Sequence, residues 1–281
     1  MIICGLFACR NHPHQQEDQY GGLELPDSTP IALPLPLPQG NHMIHKGVFS
    51  PDLQNFYFTQ SDPDFTNFDV YVIQQTDDGW GTVEPAFFNS EYDEHGMSFS
   101  PDGQTIFFAS TRPADSLPKT WHLWTANREG TEWSKPTLIN IPNLHHKLLS
   151  HPSMAADGSL YFHASNLDYS EMDLYVAEPI AEGYGATEKV FSEKAPIGRC
   201  TPFISPDERY LLYAEIGNEL DLMLSTKDEK GNWTMTRRLS ASVNTHGQGN
   251  PSVSPDGKFL LYTTGKEDGT NWQLQWGKMP Q

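Results

Sequence analysis

Cysteine is scarce in this chain: Cys4, Cys9 and Cys200 form no C-x-x-C pair and no even framework, which argues against a disulfide scaffold. Positive charge is scarce too. Lys and Arg total 18 against 36 Asp and Glu, a formal charge of −18 that repels phosphate backbones, so nucleic acid is excluded as a partner. No apolar run approaches the ~20 residues that a spanning helix needs, which leaves a lipid anchor as the route to a membrane. The signatures of common catalytic sites are also missing: there is no Gly-x-Ser-x-Gly elbow, no Gly-x-x-x-x-Gly-Lys loop and no His-Glu-x-x-His helix.

What the chain does have is a repeat. Phe99-Ser100-Pro101-Asp102-Gly103, followed by Ile106-Phe107-Phe108, recurs in variants whose aspartates are Asp52, Asp102, Asp157, Asp207 and Asp256, spaced 50, 55, 50 and 49 residues apart. That period fits propeller blades and is too long for most helical solenoids. Ser, Pro, Asp and Gly in this order suit a type I turn followed by a left-handed residue, so each copy reads as a hairpin. The apolar triplet after the turn suits a strand covered on both faces. Leu53 and Glu208 stand in the Gly slot, where a left-handed conformation costs about 1 kcal/mol or more, so a different turn geometry is expected there.

Two further strands lie between successive hairpins. One resembles Phe68-Asp69-Val70-Tyr71-Val72, and the next is opened by Trp80, Trp133 or Trp233. The fifth repeat has its third strand at residues 272–276 and no fourth, and the segment around Thr29-Pro30-Ile31-Ala32-Leu33 can supply it. The expectation is an all-β, five-bladed β-propeller with four-stranded blades, closed by an N-terminal strand that completes the last blade. It occupies residues 20–281 as a single domain. The Ser-Pro-Asp-Gly turn, the apolar triplet and the Asp173-Leu174-Tyr175 strand resemble the WD-like propeller repeats of the TolB family. The resemblance covers about residues 30–281 and implies fold more than function, since such repeats serve as scaffolds, as solute-binding modules and as non-catalytic domains of enzymes.

The first residues are apolar and end in Leu6-Phe7-Ala8-Cys9, which resembles a bacterial lipoprotein signal. On that reading residues 1–19 are signal and tether, Cys9 is the lipidation site, and the protein is periplasmic or anchored to the outer membrane. The repeated turn aspartates are expected to bond their own turns, and Cys200 to be a buried small hydrophobe. Asp62-Pro63-Asp64 and the residues after it lack the Gly and the terminal Glu of a calcium loop.

Function is sought instead in residues that break the repeat. His45, His95 with Glu94, His151, Arg199 and His246 come just before the inner strands, and Arg112 joins them from a loop between second and third strands. These residues are expected to converge on one channel mouth. Three readings stay open: a mouth that binds a polar or anionic small molecule, an oligosaccharide or a cell-envelope protein; a divalent-metal site of His45, His95 and His151 in a carbohydrate-active lyase or hydrolase, with Glu94 or His246 as base; or histidines that fill the channel.

Overall fold

The computed structural model describes residues 18–38, 40–265 and 272–280. A short strand, Ile31–Ala32 (β1), precedes the repeats. The first blade is Met43–Phe49 (β2), Asn55–Ser61 (β3), Asp69–Thr76 (β4) and Gly79–Pro85 (β5). The second is Glu94–Phe99 (β6), Thr105–Ser110 (β7), His122–Glu129 (β8) and, outside it, Glu132–Trp133 (β9) and Thr137–Leu138 (β10). Leu148–Met154 (β11), Leu160–Ser165 (β12), Asp173–Ala177 (β13) and Glu188–Lys189 (β14) make the third, and Gly198–Ile204 (β15), Tyr210–Ile216 (β16), Leu220–Lys227 (β17) and Trp233–Arg238 (β18) the fourth. Gln248–Val253 (β19), Phe259–Thr264 (β20) and Gln273–Lys278 (β21) form the fifth. The inner strands pack in the order β2, β6, β11, β15, β19 and back to β2, which closes the five-bladed ring.

Local chemistry explains the hairpins. In the second blade the Ser100 hydroxyl donates to Asp102 at 2.6 Å and accepts from the Thr105 amide at 2.9 Å, while Asp102 accepts from the Gln104 amide. The same bonds recur around Asp52 and Asp256, and the backbone contact of the aspartate recurs at Asp157 and Asp207. The turn aspartates are structural, as their position in the repeat implies. The expectation for Leu53 and Glu208 needs correction, because both adopt the left-handed geometry of the glycine copies, with φ of 60° and 52°. Their side chains offset the strain: Leu53 is buried in the core between blades five and one, and Glu208 accepts from the Tyr161 hydroxyl and pairs with Lys227.

The apolar triplets Phe56-Tyr57-Phe58 and Ile106-Phe107-Phe108 are buried throughout, since each second strand lies between its own blade's neighbours. Closure is achieved by β1, which pairs with β21 in the register Ile31↔Trp276 and Ala32↔Gln275. Tyr20, Leu23, Leu33 and Leu35 of the same N-terminal segment pack with Phe49, Phe259 and Trp276 in one cluster. Tyr20 also donates to Asp256, the turn aspartate of the fifth repeat, at 2.8 Å.

Candidate functional site in the central channel

Every inner strand carries a register break near its middle, between Ile44 and Gly47, His95 and Ser98, Ser150 and Ser153, Cys200 and Phe203, and Gly249 and Ser252. A bulge of this kind re-aims a side chain that the pleat would otherwise send into the blade. Counted back six residues from each turn aspartate, the equivalent positions are Lys46, Gly96, His151, Thr201 and Asn250. The last four have φ between 50° and 65°. They meet around the axis: a Cβ on Gly96 would lie 3.1 Å from the His151 ring, and the Asn250 amide donates to the Thr201 hydroxyl at 3.3 Å. In three blades the next residue is Pro152, Pro202 or Pro251, which needs no ladder partner for its nitrogen.

From this level, at His151, a block of imidazoles extends to one side. The Ser150 hydroxyl bridges His95 Nε2 at 2.7 Å and His151 Nδ1 at 3.0 Å. His163 Nδ1 accepts from the Thr201 amide at 3.2 Å, and its ring stacks on that of His151 at 5.1 Å. His45 bonds Ser61 at 2.8 Å. Aromatic rings cover the group: Trp121 lies 4.0 Å from His95, and Phe68 lies 5.1 Å from His45 and 5.4 Å from His95. Burial therefore pushes the His45 imidazole down to about 4 and that of His163 to about 3, and holds His95 and His151 well below the ordinary histidine range. All four are neutral at pH 7.

On the other side, towards the Ser-Pro-Asp turns, the channel opens as a cavity of about 240 Å³. Its wall is built from the position four residues before each turn aspartate, Val48, Ser98, Ser153, Phe203 and Ser252, with the turn prolines at its rim. The three serines are tied across blade junctions, Ser98 to the Pro152 carbonyl, Ser153 to the Ile204 amide and Ser252 to the Gly47 carbonyl. Lys46 also lines the cavity. It is 3% exposed, and no hydrogen bond or ion pair holds it among the described residues. Desolvation pulls its amine down to about 7, and its charge in turn helps to keep the imidazoles of His95, His151 and His163 unprotonated.

The expected mouth is thus redistributed. His45, His95, His151, Glu94 and Arg199 lie within the inner strands and not in loops before them, because the bulge lets each strand start earlier. Glu94 is fully buried and accepts from Arg112 at 2.7 Å, Ser90 at 2.7 Å and Ser110 at 2.8 Å. Arg112 is further held by the Phe88 carbonyl and the Phe108 and Trp124 rings, so this pair is an internal clamp of blade two. Arg199 is likewise spent on Asp173 at 3.2 Å and the Glu193 carbonyl at 2.9 Å. His246 is exposed in the loop before β19. The metal set is also corrected: His45 is bound to Ser61, His95 and His151 share the Ser150 hydroxyl, and no three His, Cys, Asp or Glu among the described residues could hold a metal ion. Cys9 lies outside the described residues, while Cys200 is buried with its thiol pushed up to about 12.

Lys46 and His163 escaped the sequence reading. A signal for Lys46 was present: aligned on the turn aspartates, it is the one charged residue in a column of Gly, His, Thr and Asn.

Fold and site together define a five-bladed β-propeller whose channel holds a block of neutral imidazoles on one side and on the other a cavity lined by Lys46, which has no hydrogen-bond or ion-pair partner among the described residues. Among solved structures it is similar in fold to a glycoside hydrolase (TM-score 0.61, 11% identity, 97% of each chain covered). It is similar also to a putative TolB from Agrobacterium tumefaciens (TM-score 0.55, 16% identity, 86% of this chain and 79% of that one) and to a thermostable family-43 glycoside hydrolase (TM-score 0.56, 12% identity, 91% and 93%). No family model and no curated protein sequence matches the chain.

Proposed function

We propose that this propeller is a binding module that takes a small organic carboxylate with an apolar body into the cavity on the turn face, with Lys46 as its counter-charge. The buried Lys46 that lines that cavity, without a hydrogen-bond or ion-pair partner among the described residues, carries the reading. An amine buried without a partner costs folding energy that a merely structural position has no reason to bear. The apolar wall of Val48 and Phe203 suits the body of the ligand, and a preformed concave site lowers the cost of ordering.

The test is calorimetry with phenylacetate on the wild type and on Lys46→Met. Binding should be present in the first and lost in the second. Affinity should fall about tenfold per pH unit above about 7, because only the ammonium form pairs with the carboxylate. The same substitution removes a buried charge at nearly constant volume, so it should raise stability by about 2 kcal/mol. Equal phenylacetate binding by both proteins would sink the reading.

The proposal extends to location. Residues 1–19 direct the protein to the cell envelope, with Cys9 as the acylated residue. Labelled palmitate should enter the wild type and not Cys9→Ser when each is expressed in a bacterium; equal labelling, or none in either, counts against it.

A further inference from the structure

We propose that Lys46 is also a covalent site: its amine condenses with a small apolar aldehyde or ketone entering from the turn face, and the product is an imine. This rests on the same cavity as the carboxylate reading but not on the charge of the ligand. An amine nucleophile needs a free lone pair, access to the carbonyl carbon and groups that can move protons beside it. Lys46 lines a cavity of about 240 Å³, which leaves room for a ligand of benzaldehyde size against Val48, Phe99 and Phe203.

The surroundings favour the neutral amine. No carboxylate pairs with Lys46 among the described residues, burial alone shifts its amine, and the charge it carries when protonated is felt by the imidazoles of His95 on β6, His151 on β11 and His163 on β12. Burial holds the amine near 7, so much of it carries a lone pair at pH 7.5, whereas an exposed lysine is almost wholly protonated. Neutral imidazoles can both accept and donate a proton.

The step balances without any oxidant or reductant. The Lys46 Nζ lone pair forms a bond to the carbonyl carbon as the C=O π bond breaks, and one of the two amine protons is lost from nitrogen as the oxygen gains one, to give a carbinolamine. Nitrogen then loses its remaining proton, and the hydroxyl leaves with a proton as water. Amine plus carbonyl thus becomes imine plus water, and the imine is uncharged, which suits the dry channel better than the ammonium does.

The experiment uses the full chain with benzaldehyde and sodium cyanoborohydride at pH 7.5, followed by digestion and peptide mass spectrometry. Lys46 should carry the benzyl mark at least about tenfold faster than the exposed Lys119, Lys194 and Lys230. Lys46→Met, with its fold checked by circular dichroism, should lose that mark and keep the slow labelling of the others. Labelling that follows exposure and passes over Lys46 would overturn the imine site. If phenylacetate binds while Lys46 stays unmarked, the covalent proposal fails and the carboxylate reading stands; marking without phenylacetate binding has the reverse meaning.

Discussion

Deletion of residues 20–40 should leave a chain that does not fold cooperatively at room temperature. The deleted segment contributes Leu23, Leu33 and Leu35 to the core between blades five and one, together with the fully buried Tyr20. Three buried leucines are each worth about 1.5–3 kcal/mol and a truncated aromatic about 3–5. Their sum matches the ~5–15 kcal/mol that holds a domain together. Deletion also strips β1 from β21 and exposes the edge of the last blade to pairing with other chains. Melting curves and size-exclusion chromatography check this: a monomer that melts at the wild-type temperature would refute the closure role. A graded version is Tyr20→Ala, expected to cost about 3–5 kcal/mol. Tyr20→Phe removes only the bond to Asp256 and should cost about 1–2 kcal/mol.

Acid should unfold the protein well above the pH at which carboxylates titrate. His45, His95, His151 and His163 are neutral in the native channel and free to protonate in the unfolded chain, where the ordinary value is about 6.5. Below that value the unfolded state binds more protons, so stability falls as pH falls, by up to about 1.4 kcal/mol per pH unit for each imidazole. The loss continues until the native values are reached, about 4 for His45 and about 3 for His163. Four such groups together remove about 8 kcal/mol by pH 5, which exhausts an ordinary domain. Lys46 has the same sign in a higher window: its amine is depressed in the native state, so stability should rise between pH 7 and about 10.5. Denaturant titrations at pH 7, 6, 5.5 and 5 measure the slope, and replacing His163 by Gln should reduce it by about one proton. Stability that is level from pH 7 to 5 would mean that the imidazoles are hydrated and charged in the native protein.

The parts of this molecule that the sequence alone determines are those decided over short distances or by counting. Ser100, Asp102 and Thr105 bond within six residues of one another, so the hairpin is written in the turn itself. Five such turns, and a last repeat short of one strand, required a partner strand from elsewhere, and the Ile31 segment was the available length. The channel is different, because its composition depends on which residues of five separate strands reach the same height. A single bulged residue shifts that height, so His95, one residue earlier in the repeat than His151, still brings its ring within 4.7 Å of the His151 ring. Charge follows from burial in the same way: Glu94 finds Arg112, Ser90 and Ser110, whereas Lys46 finds no hydrogen-bond or ion-pair partner among the described residues. Desolvation depends on every atom packed around a group, and only the closed ring brings those atoms together.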